Sequence, residues 1–318
     1  MLNVRVECKR QVADGISAFH LVSTTGEPLP AFSAGAHVDV HLPGGLVRQY
    51  SLCGDPSNSR SYVLGVLKDP ASRGGSVAMH AIGEGSEIQI SAPRNHFSLE
   101  VDASHTVLLA GGIGVTPIMA MAQSLQAQGQ SFEMHYCTRA LAKTAFREEL
   151  LQGPISEHVH LHLDDGSTDR FDAKDALQSA YRPDTHIYVC GPAGFIDAML
   201  EAARQVGYAD SQLHREYFAA PATTSPEQAD IAFAVKIGST GQVLQVTADK
   251  SVVEVLAQHG IEIETSCEQG VCGTCVTRIL DGIPLHRDVY LTDAERAENK
   301  VFTPCCSRSY SSMLVLDI

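Results

Sequence analysis

The 318-residue sequence predicts a multidomain fold: an antiparallel β-barrel, then a doubly wound α/β domain, then a smaller α+β domain. Three observations carry this. The chain is longer than one small core organises. Its hydrophobic pattern changes near residue 104 from closely spaced strands to strand–helix alternation. Five of its nine cysteines crowd between positions 267 and 306. Hydrophobic residues make up 44% and charged residues 19%, which places the chain with folded globular proteins rather than disordered ones.

Segment 1–103 reads as short strands. VRVECKRQV, ISAFHLVS, HVDVHL, RQYSL and SYVLGVL are rich in β-branched and aromatic residues, and Gly and Pro clusters separate them. Strands so closely spaced, with such turns, predict an antiparallel barrel. Segment 104–220 alternates. TVLLAGG is a buried strand ending in glycines, and PIMAMAQSLQAQ is a helix with Pro117 in its first turn. FEMHYCTR, AFREELLQ, HVHLHL, DAKDALQSA, HIYVCGP and GFIDAMLEAARQVG continue the pattern, which means a parallel, doubly wound sheet. AAPATTSPEQAD, at 219–230, reads as an exposed connection with its linker proper at 221–230. Segment 231–318 opens with strands IAFAVKIG and QVLQVTA. A helix follows, with Ser251 as N-cap, Glu254 at the capping-box position and Gly260 at its end. A cysteine loop and a last strand, SSMLVLDI, complete it.

The formal net charge is −14. Nucleic-acid binders need clustered Lys and Arg, and so do proteins that bind anionic membrane surfaces, so neither partner is expected. The longest uncharged apolar stretch, Thr106 to Ala122, is broken by Gly111, Gly112, Gly114 and Pro117; no membrane span is expected. MLNVRVECKRQV lacks the apolar core of a secretory signal. The expected location is the cytoplasm, where thiols stay reduced.

Cys8, Cys53, Cys137 and Cys190 are scattered, and free cysteine packs as a small hydrophobe. Residues 267–275 differ: C-E-Q-G-V-C-G-T-C, with Cys305 following after 29 residues. C-x4-C-x2-C with a distant fourth cysteine is the plant-type [2Fe–2S] spacing. Two irons need four thiolates, and Cys267, Cys272, Cys275 and Cys305 supply them. Gly270 and Gly273 let the backbone turn and aim N–H groups at the sulfurs. A structural zinc usually uses two paired knuckles, whereas only one C-x-x-C is present. Cys306 competes with Cys305, but a 29-residue interval matches plant ferredoxins and selects Cys305; Cys306 is then expected to point elsewhere.

A cluster moves one electron at a time, while soluble reductant carries two, and a flavin can stand between them. Arg48-Gln49-Tyr50-Ser51 offers a planar fork for phosphate, a flat aromatic face and a hydroxyl for a flavin ring nitrogen. Leu67 and Lys68 close the following strand, and Arg73-Gly74-Gly75-Ser76 presents backbone N–H groups at a helix start. Downstream, Gly111-Gly112-Ile113-Gly114-Val115-Thr116-Pro117 follows a strand and opens a helix, where a dinucleotide pyrophosphate could approach the backbone. Cys190-Gly191-Pro192 ends a later strand. Both turns sit where doubly wound sheets bind ligands.

Together these motifs resemble the ferredoxin–NADP reductase superfamily. R-x-Y-S and the G-G-S turn are similar to its flavin domain, and G-G-x-G-x-T-P and C-G-P to its nicotinamide domain. His214-x-Glu216-x-Phe218 is similar to the end of that module, where an aromatic residue lies near the flavin. With a C-terminal plant-type ferredoxin of β-grasp form, the whole chain resembles the phthalate dioxygenase reductase family, which includes vanillate O-demethylase reductases. The resemblance implies FMN, NADH as donor and a Rieske non-haem iron oxygenase as acceptor. It implies that Ser51, Cys190, Glu216 and Phe218 line the contact between nicotinamide and flavin, in a monomer. Gln49 departs from the pattern, so no contact specific to that position carries over. A cytochrome P450 acceptor, or a redox carrier or sensor with little reductase activity, is the alternative. For the donor, Thr138, Arg139 and Lys143 lie where a 2′-phosphate is read. Arg139 and Lys143 leave NADPH open, and the resemblance tips the expectation to NADH.

His158, His160 and His162 alternate, but the intervening Val159 and Leu161 make a half-buried strand the simpler reading than a metal site. LHRDVYLTDAERAENK, 285–300, reads as a charged surface helix near the cluster.

Overall fold

The computed structural model describes residues 1–70, 72, 74–168, 170–219 and 231–318. Arg73 and the expected linker at 221–230 lie outside the described residues. The chain divides into two compact units, Met1–Glu216 and Tyr217–Ile318.

The first unit contains two sheets. Strands β1 (Leu2–Ala13), β2 (Ile16–Ser23), β3 (Ala36–Leu42), β4 (Leu46–Ser51) and β5 (Ser61–Leu67) come first. Helix α1 (Gly75–Ala81), β6 (Glu87–Ile90) and β7 (Arg94–Asn95) follow. The strand order is β4-β3-β6-β1-β2-β5, with β7 on β3. A bridge between Leu52, just past β4, and Leu64, in the middle of β5, curls the sheet shut as a barrel. Period-2 alternation fills it: Val4, Val6, Phe19, Leu21, Val38, Val40, Tyr62 and Leu64 are buried together.

The second sheet has the order β10-β9-β8-β11-β12, with every adjacent pair parallel. Its elements are β8 (His105–Gly111), α2 (Val115–Ala127), β9 (Phe132–Thr138), α3 (Arg147–Gln152) and β10 (Val159–Leu163). After them come α4 (Ala173–Ala180), β11 (Thr185–Cys190), α5 (Ala193–Val206) and β12 (Leu213–Glu216). The strand order reverses between β8 and β11, which opens a crevice at their carboxyl ends. One apolar cluster runs from the barrel into this sheet: Ile16, Ala18, Cys53 and Phe97 pack with Leu108, Ile118, Met121, Tyr136 and Tyr188. A Cβ on Gly65 of β5 would fall 2.6 Å from Thr116 and 3.0 Å from Phe146. Glycine there lets the barrel wall meet α2 closely and sets where the end of β4 faces the crevice.

The second unit has its own core. Strands β13 (Phe233–Ile237) and β14 (Val243–Val246), helix α6 (Val252–Gln258), β15 (Thr277–Asp281) and β16 (Pro284–Leu285) come first. Helix α7 (Asp293–Glu298), β17 (Val301–Phe302), β18 (Arg308–Ser309) and β19 (Met313–Leu316) follow. The main sheet is β14-β13-β19-β15-β17, with β13 and β19 parallel and α6 against its buried face; this is the mixed β-grasp arrangement. Ser251 and Glu254 form the expected capping box, which contributes about 1 kcal/mol to the helix end. The 285–300 stretch departs from expectation. Only Asp293–Glu298 is helical, because Asp288 and Leu291 turn inward and are buried. Among the described residues, no helix is long and apolar enough to cross a membrane.

Candidate functional site

At the barrel end, Arg48 of β4 lies across the start of α1. A Cβ on Gly75 would stand 2.5 Å from the Arg48 side chain, and Gly74 is left-handed at φ 92°. Two glycines are therefore what bring a guanidinium to a helix start, and that donor set fits the terminal phosphate of a mononucleotide. Tyr50, on the same strand face, packs against the barrel core, and burial pushes its phenol up to about 12. Ser76 is engaged locally, accepting from the Asp69 N–H at 3.1 Å. Leu67 and Lys68 are exposed at the end of β5.

At the crevice, two turns meet back to back. A Cβ on Gly114 would fall 2.2 Å from the Cys190 carbonyl oxygen. On Gly111 it would fall 2.8 Å from Phe195, and on Gly191 3.0 Å from Gly111. These glycines serve the contact between the turns. Gly112 differs: it is left-handed and faces open space, where a ligand can reach the backbone. Thr116 is buried and its hydroxyl donates to the Ile113 carbonyl at 3.0 Å; Pro117 is buried beside it. Thr138 is buried with its hydroxyl 2.8 Å from that of Thr144. Arg139 is exposed, while Lys143 lies 4.0 Å from the Asp14 carboxylate.

The barrel and the crevice join at three side chains. Cys190 and Glu216 are register partners on β11 and β12, and the Ser51 hydroxyl donates to Glu216 at 3.5 Å. Burial pushes the Glu216 carboxyl up to about 8, so it is mostly protonated at neutral pH. Burial and the neighbouring Glu216 raise the Cys190 thiol well above its usual range. Phe218 is exposed and belongs to the second unit.

In the second unit, the four thiols touch two by two. Cys267 hydrogen-bonds Cys272, and Cys275 hydrogen-bonds Cys305. The hydrogen bond from Cys267 pulls the Cys272 thiol below its usual range. Backbone N–H groups of Gln269 and Val271 approach the Cys267 sulfur, and that of Thr274 the Cys272 sulfur. Gly270 and Gly273 are both left-handed at φ 72°. Paired thiolates wrapped by amides fit a two-iron cluster, with two ligands for each iron. Among the described residues, no three His, Cys, Asp or Glu side chains are disposed to hold a single metal ion. His160 and His162 instead stack on His135 of β9.

Known proteins carry the same parts. Residues 235–309 match the family described as 2Fe-2S iron-sulfur cluster binding domain, and residues 108–201 the oxidoreductase NAD-binding domain. The vanillate O-demethylase oxidoreductase of Pseudomonas sp. (strain HR199 / DSM 7063) is 52% identical over 100% of both chains. The phthalate dioxygenase reductase of Burkholderia cepacia is 36% identical over 100% of this chain and 97% of its own. A solved structure of phthalate dioxygenase reductase, described as a modular structure for electron transfer from pyridine nucleotides to [2Fe–2S], superposes with a TM-score of 0.78. It is 35% identical over 100% of this chain and 98% of that one. The chain belongs to the phthalate dioxygenase reductase family.

This reductase is an electron-transferring oxidoreductase with an NAD-binding and a [2Fe–2S] domain. An intact type IV self-sufficient cytochrome P450 monooxygenase also contains the fold. It has a TM-score of 0.84 and 37% identity over 100% of this chain, which spans 41% of that protein.

The reductase departs from the sequence reading at Cys306, which does not point away. Its sulfur hydrogen-bonds that of Cys305 and stands 2.5 Å from where a Gly270 Cβ would be. Sequence reasoning also missed Tyr290, whose ring lies over Gly273 at 2.2 Å from the position of a Cβ. The apolar run Val289-Tyr290-Leu291 inside a charged stretch was the available signal.

Proposed function

We propose that this chain is the reductase component of a two-component Rieske non-haem iron oxygenase, carrying electrons from NADH through FMN and its [2Fe–2S] cluster to the terminal oxygenase. The observation that carries the reading is the meeting of Ser51 from the barrel with Cys190 and Glu216 from the nucleotide sheet, in a chain that also pairs four thiols. Arg48 and the Arg73–Ser76 turn hold the FMN phosphate, and Tyr50, Leu67 and Lys68 border the flavin. NADH lies across Gly111, Gly112, Gly114, Thr116 and Pro117 on one side and Cys190, Gly191 and Pro192 on the other. Thr138 and Arg139 stand toward its adenosine end. Bound FMN accepts the two electrons of NADH together and releases them singly to the cluster. Ser51 and the protonated Glu216 keep that contact free of a buried negative charge. Cys267, Cys272, Cys275 and Cys305 ligate the cluster. The division of labour is 1–103 for FMN, 104–220 for NADH, 221–230 as linker and 231–318 for the cluster, in a cytoplasmic monomer.

The full-length likeness to a vanillate O-demethylase oxidoreductase supports the Rieske acceptor. Likeness to the reductase part of a self-sufficient P450 favours a second reading, in which a cytochrome P450 is the acceptor. The test gives the purified protein NADH with ferricyanide, and then with a purified Rieske oxygenase or a P450. Ferricyanide reduction with turnover of the Rieske enzyme is expected. No ferricyanide reduction identifies a carrier or sensor, and turnover with the P450 alone selects the second reading.

A further inference from the structure

We propose that Asp288 is a positioning residue of the iron–sulfur centre: it ties the ligand loop to the segment that carries Cys305, and its buried negative charge holds the cluster's midpoint potential down. The proposal rests on the four cysteines being the cluster ligands.

The geometry carries the tie. Asp288 is 4% exposed. One carboxylate oxygen accepts from the Leu291 N–H at 2.8 Å and the other from the Thr303 hydroxyl at 3.3 Å. Thr303 lies two residues before Cys305. Its hydroxyl also stands 3.3 Å from the Cys306 sulfur and 2.8 Å from the Ser307 hydroxyl. On the other side, a Gly270 Cβ would fall 2.8 Å from the Asp288 Cα and 2.9 Å from its Cβ. The next residue, Val289, donates its N–H to the Gly270 carbonyl at 3.0 Å. The loop with three ligands and the segment with the fourth, far apart in sequence, thus rest on one residue.

The charge is the part that this architecture does not need for shape. An asparagine has the same outline and could still accept from Leu291 and pair with Thr303. A buried carboxylate is costly unless it is compensated. The groups facing Asp288 are the Arg296 guanidinium, 3.7 Å from the carboxylate and donating to the Asp288 carbonyl at 2.6 Å, and the His286 ring at 3.4 Å. Reduction adds an electron to the cluster. A fixed negative charge beside the ligand loop opposes that electron, and removing it leaves Arg296 to favour it.

The experiment uses the full-length protein, with iron and sulfide assayed first. Fewer than two irons and two sulfides per chain refutes the ligand assignment itself. With the cluster present, Asp288→Asn is expected to keep the visible absorption and the electron paramagnetic resonance signal of the reduced centre. Its reduction equilibrium should shift toward the reduced form by about tenfold, or 59 mV for one electron. Asp288→Ala should lose iron to a chelator several-fold faster than Asp288→Asn. Arg296→Gln moves the charge balance the other way and should shift the potential downward, and it decides the matter if Asp288→Asn does not assemble. An unchanged potential in Asp288→Asn, or an unchanged or raised one in Arg296→Gln, overturns the charge role. Iron loss from Asp288→Ala at the parent rate overturns the tie.

Discussion

Two glycine-rich turns, one in each compact unit, look alike in sequence and differ in what they require. At the nucleotide crevice Gly114 has φ −59° and Gly111 φ −111°, which any residue adopts. What forbids a side chain is the other turn, with the Cys190 carbonyl 2.2 Å from a Gly114 Cβ. In the cysteine loop, Gly270 and Gly273 are left-handed, and they are also covered, by Cys306 and Asp288 in one case and Tyr290 in the other. The first turn records a fit between segments some eighty residues apart. The second records a local loop shape with a lid added to it. Local shape follows from nearby residues and can be read from spacing; a remote fit leaves only an unexplained glycine.

The largest effect should come from the local loop. Cys305→Ser removes one member of the Cys275–Cys305 pair, and visible cluster absorption should be lost. Cys306→Ser should keep it, although the Cys306 sulfur also touches Cys305. If the two variants exchange outcomes, the fourth ligand is Cys306 and the 29-residue interval misled. Flavin reduction by NADH should persist in Cys305→Ser, because the cluster belongs to the other compact unit.

The remote fit is tested by Gly114→Ala against Gly112→Ala. The first drives a methyl into the Cys190 carbonyl and should destabilise the first unit by about 3 kcal/mol, at the upper end of overpacking costs. The second meets nothing within 4 Å and should cost only the left-handed penalty, about 1–2 kcal/mol. Thermal melts of the two variants measure this. Equal losses would mean that the crevice glycines serve backbone conformation, as the loop glycines do, and the contrast would collapse.

Next in size is Arg48→Ala. It removes the cation that lies over Gly75 and should weaken FMN binding by about 1.5–3 kcal/mol, the worth of a charged hydrogen-bond partner. Fluorescence titration of flavin-free protein reads the change. Binding unchanged by the substitution would detach the G-G-S turn from the phosphate. Recovery of FAD rather than FMN from the native protein would have the same meaning.

How much was legible follows the same division. The cysteine ligands, the capping box at Ser251 and the alternation of strands and helices depend on short spacings, and they stand in the sequence. The approach of Ser51 to Glu216 spans 165 residues and depends on Gly65 admitting Thr116 and Phe146. Only the family resemblance pointed to it. The 285–300 stretch failed for the opposite reason. Its charges suggested solvent, but Asp288 is buried among Leu291, Arg296 and Thr303, and a charge census cannot see a carboxylate around which its own segment folds. Thr116 stands in the glycine-rich motif and Thr138 at the end of the second strand, and the fold turns both hydroxyls toward neighbouring protein groups.

The effect that appears only as pH is varied concerns Glu216, the last residue of the first unit. Burial holds its carboxyl at about 8, against an ordinary 4.5. Between those values the folded protein keeps a proton that the unfolded chain releases. The group's stabilising contribution is therefore fully present below about pH 4.5 and is lost as pH rises through 8. Glu216→Gln fixes the neutral form and removes that dependence. Across pH 5–8 the parent should lose stability relative to the variant, by at most about 1.4 kcal/mol per pH unit, and by less where solvent reaches the side chain. Melts of flavin-free protein at several pH values check it. Parallel curves for parent and Glu216→Gln would mean that the carboxylate is ionised at neutral pH. The contact among Ser51, Cys190 and Glu216 would then carry a negative charge, and Ser51 would be donating to an anion at the place where the nicotinamide must meet the flavin.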